Sequence, residues 1–101
     1  MEISFKSEKE RQFYEDEKAL KREYGQRMAE KIIQRISELQ AAANPQELPA
    51  NARFHEHKAA RKGLFSIDLP HPKRLIIRPT CDYASYIEIV SVEIYEIMDP
   101  H

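Results

Sequence analysis

The amino-acid pattern predicts an α+β fold in which an αα-hairpin lies on one face of a mainly antiparallel sheet. Three observations predict it. Apolar residues in the first half recur at helical spacing on either side of Gly25. A capping box, Ser7-Glu8-Lys9-Glu10, opens that half. The second half breaks into β-branched and aromatic runs separated by proline-containing turns.

The elements follow in order. Residues 2–6, EISFK, alternate polar and apolar, which predicts a short leading strand with Ile3 and Phe5 on one side. The Ser7 box starts a first helix over about residues 8–24, whose apolar face of Phe13, Leu20 and Tyr24 is narrow. Gly25 supplies the stop. A second helix over about 26–42 carries a wider stripe: Met28, Ala29, Ile32, Ile33, Ile36 and Leu39. Asn44-Pro45 ends it, and a loop runs through Pro49. Strands are predicted at 52–57, 63–69, 73–79 and 86–98, the last with a bulge near Val90-Ser91 where its apolar parity switches. His71-Pro72-Lys73 makes a tight turn between two of them.

At 101 residues the chain is sized for one domain, residues 1–101. With 42% apolar and 33% charged residues it is globular in composition, with a densely charged surface. No apolar run is long enough to span a bilayer, and the start of the chain lacks a hydrophobic signal core. The lone Cys81 has no partner for an internal disulfide. These features together favour a cytoplasmic protein with no membrane partner.

The net charge of −1 conceals a strong segregation. Residues 1–52 hold nine Lys/Arg against ten Asp/Glu, and residues 79–101 hold five acids and no Lys/Arg. Residues 53–78 hold seven Lys/Arg, two acids and three of the four histidines. A basic block suits an anionic partner, whereas the overall pI near 6.4 argues against strong non-specific binding to nucleic acid.

Strand parity sorts this block. Phe54, Phe65, Ile67, Leu69, Leu75 and Ile77 take the side that seeks the helices. Arg53, His55, His57, Ser66, Asp68, Arg74 and Arg78 collect on the other, with Lys58, Arg61 and Lys62 in the adjoining loop. An imidazole at His55 offers a base or a phosphate donor, and a guanidinium at Arg74 suits a phosphate through two parallel bonds. A cross-strand pairing of Arg74 with Asp68 is the plain structural alternative. His55-Glu56-His57 supplies two ligands of a metal site, but no spacing fixes the approach of a third from His71 or His101, so no metal and no cofactor are expected.

In this order the segments ARFHEHKAARKGLFSIDL and HPKRLIIRP, with the closing Met98-Asp99-Pro100-His101, resemble the HigB-type killer toxins of the RelE/ParE superfamily of bacterial type II toxin–antitoxin systems. The resemblance covers nearly the whole chain. It implies a RelE/ParE-like curved sheet and a ribosome-dependent mRNA endonuclease, held in check by a helix-turn-helix antitoxin. It implies a metal-independent reaction in which the RNA 2′-hydroxyl attacks the adjacent phosphate. The members' phosphate-site residues match His55, Lys58, Arg74, Asp99 and His101. On that basis His55, Arg74, Asp99 and His101 are the catalytic candidates. Asp99 would orient a histidine and His101 would be the general acid. Lys58, Arg61, Lys62, Arg53 and Arg78 are the candidates for holding the RNA backbone.

The chain departs from the family pattern at two places. Ala59 stands where the relatives' K-G-x-R loop has glycine, and Pro100 stands where they often carry a stacking tyrosine. Such toxins are also usually more basic. Two other functions therefore stay open: a toxin of the same fold acting on another target such as gyrase, and a catalytically silent module that only binds an antitoxin.

Overall fold

The computed structural model describes residues 1–56 and 63–99. His57, Lys58, Ala59, Ala60, Arg61, Lys62, Pro100 and His101 lie outside the described residues. The elements are strand β1 (Glu2–Phe5), helices α1 (Glu8–Tyr14), α2 (Glu17–Tyr24) and α3 (Gln26–Ala41), then strands β2 (His55–Glu56), β3 (Phe65–Asp68), β4 (Arg74–Pro79) and β5 (Ser91–Met98). They form one sheet in the order β1-β5-β4-β3-β2. β1 runs parallel to β5, and every other pairing is antiparallel. The α+β expectation therefore holds, with the parallel pair at one edge.

The core lies between the helices and one sheet face. Leu20, Ala29, Ile32 and Leu39 meet Phe65, Ile67, Leu75, Ile77, Val92 and Ile94, all at 1% exposure or less. The alternation in the strand sequences delivers these residues to one side. The Met1 amine donates to the Leu39 and Gln40 carbonyls at 3.1 and 3.3 Å and also to the Ala42 carbonyl. It thereby satisfies carbonyls that the end of α3 leaves without intrahelical donors.

The expected single helix over 8–24 is two. The Ser7 hydroxyl does accept from the Glu10 amide, at 3.1 Å. The helix stops after Tyr14, and Asp16 caps a new one by accepting from the Ala19 amide at 3.1 Å. The break turns Tyr14 inward, to 7% exposure, where it stacks on Phe5 with ring centroids 5.8 Å apart. Gly25 separates α2 from α3 with φ +88°, a backbone region suited to glycine. On α3 the stripe is narrower than predicted: Ile33 is 38% exposed, and buried Arg35 occupies a stripe position instead.

Three strand expectations need correction. The strand expected from residue 52 starts only at His55, because residues 50–52 form a 3₁₀ turn and Arg53 takes a left-handed backbone, φ +51°. The strand expected over 86–98 starts only at Ser91, after a 3₁₀ turn at Tyr86–Glu88. Its bulge falls between the Ile77–Ile94 and Ile76–Glu96 pairs, making Tyr95 the extra residue in place of Val90-Ser91. The turn before β4 is tight as predicted. The Lys73 amide donates to the Pro70 carbonyl at 3.1 Å around a cis His71–Pro72 bond. Among the described residues, no helix is long and apolar enough to cross a membrane.

Candidate functional site

Three consecutive strands build the site on the sheet face turned away from the helices. His55 on β2 stands directly opposite Ser66 on β3, and Ser66 stands opposite Ile76 on β4. Arg74 lies two residues before Ile76, hence diagonally across from Ser66 and within reach of a long side chain. The result is a three-member cluster. The His55 Nε2 lies 3.2 Å from Arg74 Nη1 and 3.1 Å from the Ser66 hydroxyl. Ser66 is fully buried, and Ile76, at 1% exposure, floors the site beside it.

The other ring nitrogen fixes the hydrogen-bond roles. The His55 Nδ1 lies 2.6 Å from the Arg53 carbonyl, which only accepts, so Nδ1–H is the donor there. Nε2 then carries the lone pair and accepts from Arg74 and Ser66. Such an imidazole is oriented from its far side and presents a basic nitrogen next to a guanidinium. That pairing can take a proton from a hydroxyl while stabilising negative charge on a neighbouring oxygen.

Phe54, adjacent to His55, faces the opposite way. It stacks on Phe65 with centroids 4.8 Å apart and meets Tyr86 edge-on at 5.4 Å. Tyr83 also packs edge-on against Phe65, at 6.2 Å. Its phenol is pushed above the usual value, first by burial and next by the charge of Glu56. These tyrosines serve the packing that holds β2 down.

The other candidates divide. Arg53 reaches the site through its backbone carbonyl, while its side chain pairs with Asp68 at 3.3 Å. The Asp68 carboxylate thus goes to Arg53, although Arg74 is the residue opposite Asp68 in the register. Arg78 shares the face of Arg74 but makes two bonds to Glu93, at 3.1 and 3.2 Å. Asp99 pairs with Lys73 at 3.5 Å. The candidates Lys58, Arg61, Lys62 and His101 lie outside the described residues, as does His57 of the two-histidine metal pattern. Among the described residues, no group of three or more His, Cys, Asp or Glu side chains is placed to hold a metal ion.

Sequence reasoning overlooked two features. Ser66 was legible as a polar-face residue, but its bond to His55 depends on the β2–β3 register. Arg27, Lys31 and Arg35 recur every four residues, so they run along one side of α3 toward the end of β3. The buried Arg35 donates from Nε to the Asp68 carbonyl at 2.8 Å, from Nη1 to Glu38 at 2.8 Å and from Nη2 to the Asn51 carbonyl at 3.1 Å. It staples α3 to the segments that carry Arg53 and Asp68. Comparison of the chain with known protein families, with curated proteins and with solved structures finds no match in any of them.

Proposed function

We propose that the chain is the toxin component of a bacterial type II toxin–antitoxin system and acts as a ribosome-dependent mRNA endonuclease. The observation that carries this reading is the His55–Ser66–Arg74 cluster: one imidazole oriented through Nδ1, whose Nε2 accepts from Ser66 and from a guanidinium that has no carboxylate partner among the described residues. In the proposed reaction His55 Nε2 takes the proton of an RNA 2′-hydroxyl. The freed oxygen attacks the adjacent phosphorus, and the P–O5′ bond breaks to give a 2′,3′-cyclic phosphate and a 5′-hydroxyl. Arg74 stabilises the charge that builds on the phosphate oxygens. The proton for the leaving oxygen is assigned to His101 on the family resemblance alone. A helix-turn-helix antitoxin is the proposed partner, and the cytoplasm the proposed site of action.

Inducing the gene alone in bacteria is expected to arrest growth, and primer extension on cellular mRNA is expected to show new 5′-hydroxyl ends. His55→Ala is expected to reduce cleavage by about 10²–10⁴-fold and Arg74→Ala by about 10²–10³-fold. Arrest without new RNA ends, surviving both substitutions, would move the target elsewhere, gyrase included. A harmless product would leave an antitoxin-binding module.

A further inference from the structure

A second cationic feature adjoins the site. A cleft of about 360 Å³ opens between α3 and the β3–β4 turn. That volume lies at the small end of the roughly 300–1,000 Å³ typical of ligand sites. Arg27, Lys31, Arg53, Lys73 and Arg74 line it, together with the buried Arg35, and Asp68 is the one carboxylate among the lining residues. Arg53 already pairs with Asp68, and Lys73 with Asp99. Arg35 is consumed by Glu38, Asn51 and the Asp68 carbonyl.

That leaves Arg27, Lys31 and Arg74 with no carboxylate bonded to them among the described residues. The Lys31 ammonium donates only to the Gln34 amide oxygen, at 3.1 Å, and the Arg27 guanidinium makes no hydrogen bond or ion pair there. Like charges one helical turn apart work against the helix that carries them. Glu38 is bonded to the Arg35 end of the row and feels the Lys31 charge, but no carboxylate is bonded to Arg27 or Lys31 among the described residues. Arg53 and Arg74 join the cleft to the His55 cluster: Arg74 donates to the imidazole and also lines the cleft wall.

We propose that this cleft holds a second phosphate of a single-stranded RNA, one flanking the phosphate at His55 and Arg74, with Arg27 and Lys31 as its contacts. The inference rests on the RNA reading above and extends it, since it carries the strand off the sheet face and onto α3. A chain of phosphates suits two adjoining cationic pockets better than one isolated anion does.

The test uses the full chain, with and without the double substitution Arg27→Ala/Lys31→Ala. The ligand is a 2′-O-methyl single-stranded RNA of about 12 nucleotides, which cannot be cleaved and falls within the site sizes of single-strand binders. The double variant is expected to bind it roughly tenfold more weakly at low salt, the scale of one charge-assisted hydrogen bond. Its plot of log affinity against log salt should be shallower by about 0.7 for each phosphate that the variant no longer neutralises. On programmed ribosomes, KM should rise while kcat stays near wild type. Equal affinity and equal salt slope for the two proteins would overturn the cleft assignment, and cleavage that still depends on His55 would leave the nuclease reading standing. Loss of RNA affinity in the double variant of a chain that cuts nothing would do the reverse. Inorganic phosphate and a glutamate-rich peptide complete the set. If either binds through Arg27 and Lys31 while RNA does not, the strand assignment fails.

Discussion

His55 is held at both ring nitrogens, and each bond comes from a different kind of sequence information. Strand parity places His55, Ser66 and Arg74 on one face, and the β2–β3–β4 register then brings them within bonding distance. The bond to the Arg53 carbonyl does not, because it needs the left-handed backbone at Arg53, a conformation uncommon outside glycine and asparagine. The same kink sends the Arg53 side chain to Asp68, so the pairing of Arg74 with Asp68 anticipated from the register does not form. Ser66→Ala isolates the contribution of one bond. The hydroxyl is fully buried, and its loss should cost about 0.5–1.5 kcal/mol, lowering Tm by a few degrees. If Ser66 orients the imidazole, the variant should also cut RNA more slowly with KM unchanged, while Ser66→Thr retains activity. An Ala variant with wild-type kcat would reduce Ser66 to a packing residue.

Among the elements, legibility follows how local the deciding interaction is. The Ser7 N-cap and the Gly25 break are local, and both stand where the sequence puts them. The split between α1 and α2 is set by Asp16, whose capping bond competes with helix continuation through a stretch rich in good helix formers. The Tyr14–Phe5 contact secures the outcome, and that contact involves β1, which no local pattern reveals. Arg35 follows the same logic. Its position fits the buried stripe of α3, but an arginine there reads as surface until Asn51 and Asp68 arrive to satisfy it. Removing one partner of a fully buried pair costs about 3–5 kcal/mol; Glu38 is partly exposed and keeps its Gln34 bond, so Arg35→Met should lose less than that, by denaturant titration. The pH dependence gives a second check. Burial alone would push Glu38 up, but hydrogen bonds from Gln34 and Arg35 and the charges of Arg35 and Lys31 outweigh it and hold the carboxyl below the ordinary glutamate value. Its contribution to stability is therefore complete above the ordinary glutamate range and is lost as pH falls through the lowered folded value. Arg35→Met should flatten the stability-versus-pH curve in that acidic window. A variant as acid-sensitive as the parent would place the sensitivity in other carboxylates.

In the whole molecule the site spans regions of unequal support. Arg74 sits on β4, a central strand paired with β5 along its length and with β3 over Arg74–Ile77, whereas His55 sits on the edge strand β2, of which the described residues are His55 and Glu56. That edge is pinned by Phe54, which stacks on Phe65 and meets Tyr86 on the core side, while His55 projects to the opposite face. Segments with few buried contacts open without global unfolding, so the basic nitrogen and the cation it adjoins should come apart before the sheet does. Native-state hydrogen exchange should find amides of β2 exchanging far faster than those of Leu75, Ile77 and Val92 in the central strands. Phe54→Ala should widen the gap, since it removes the ring that ties β2 to the core. It should lower RNA cleavage through kcat, because fewer molecules hold His55 against Arg74, and should leave exchange in β4 and β5 nearly unchanged. Equal protection in β2 and β4 would mean that the edge strand is part of the globally stable unit. In that case the loss of activity in Phe54→Ala would have to come from a repacked core, visible as a fall in Tm comparable to that caused by truncating a buried aromatic residue.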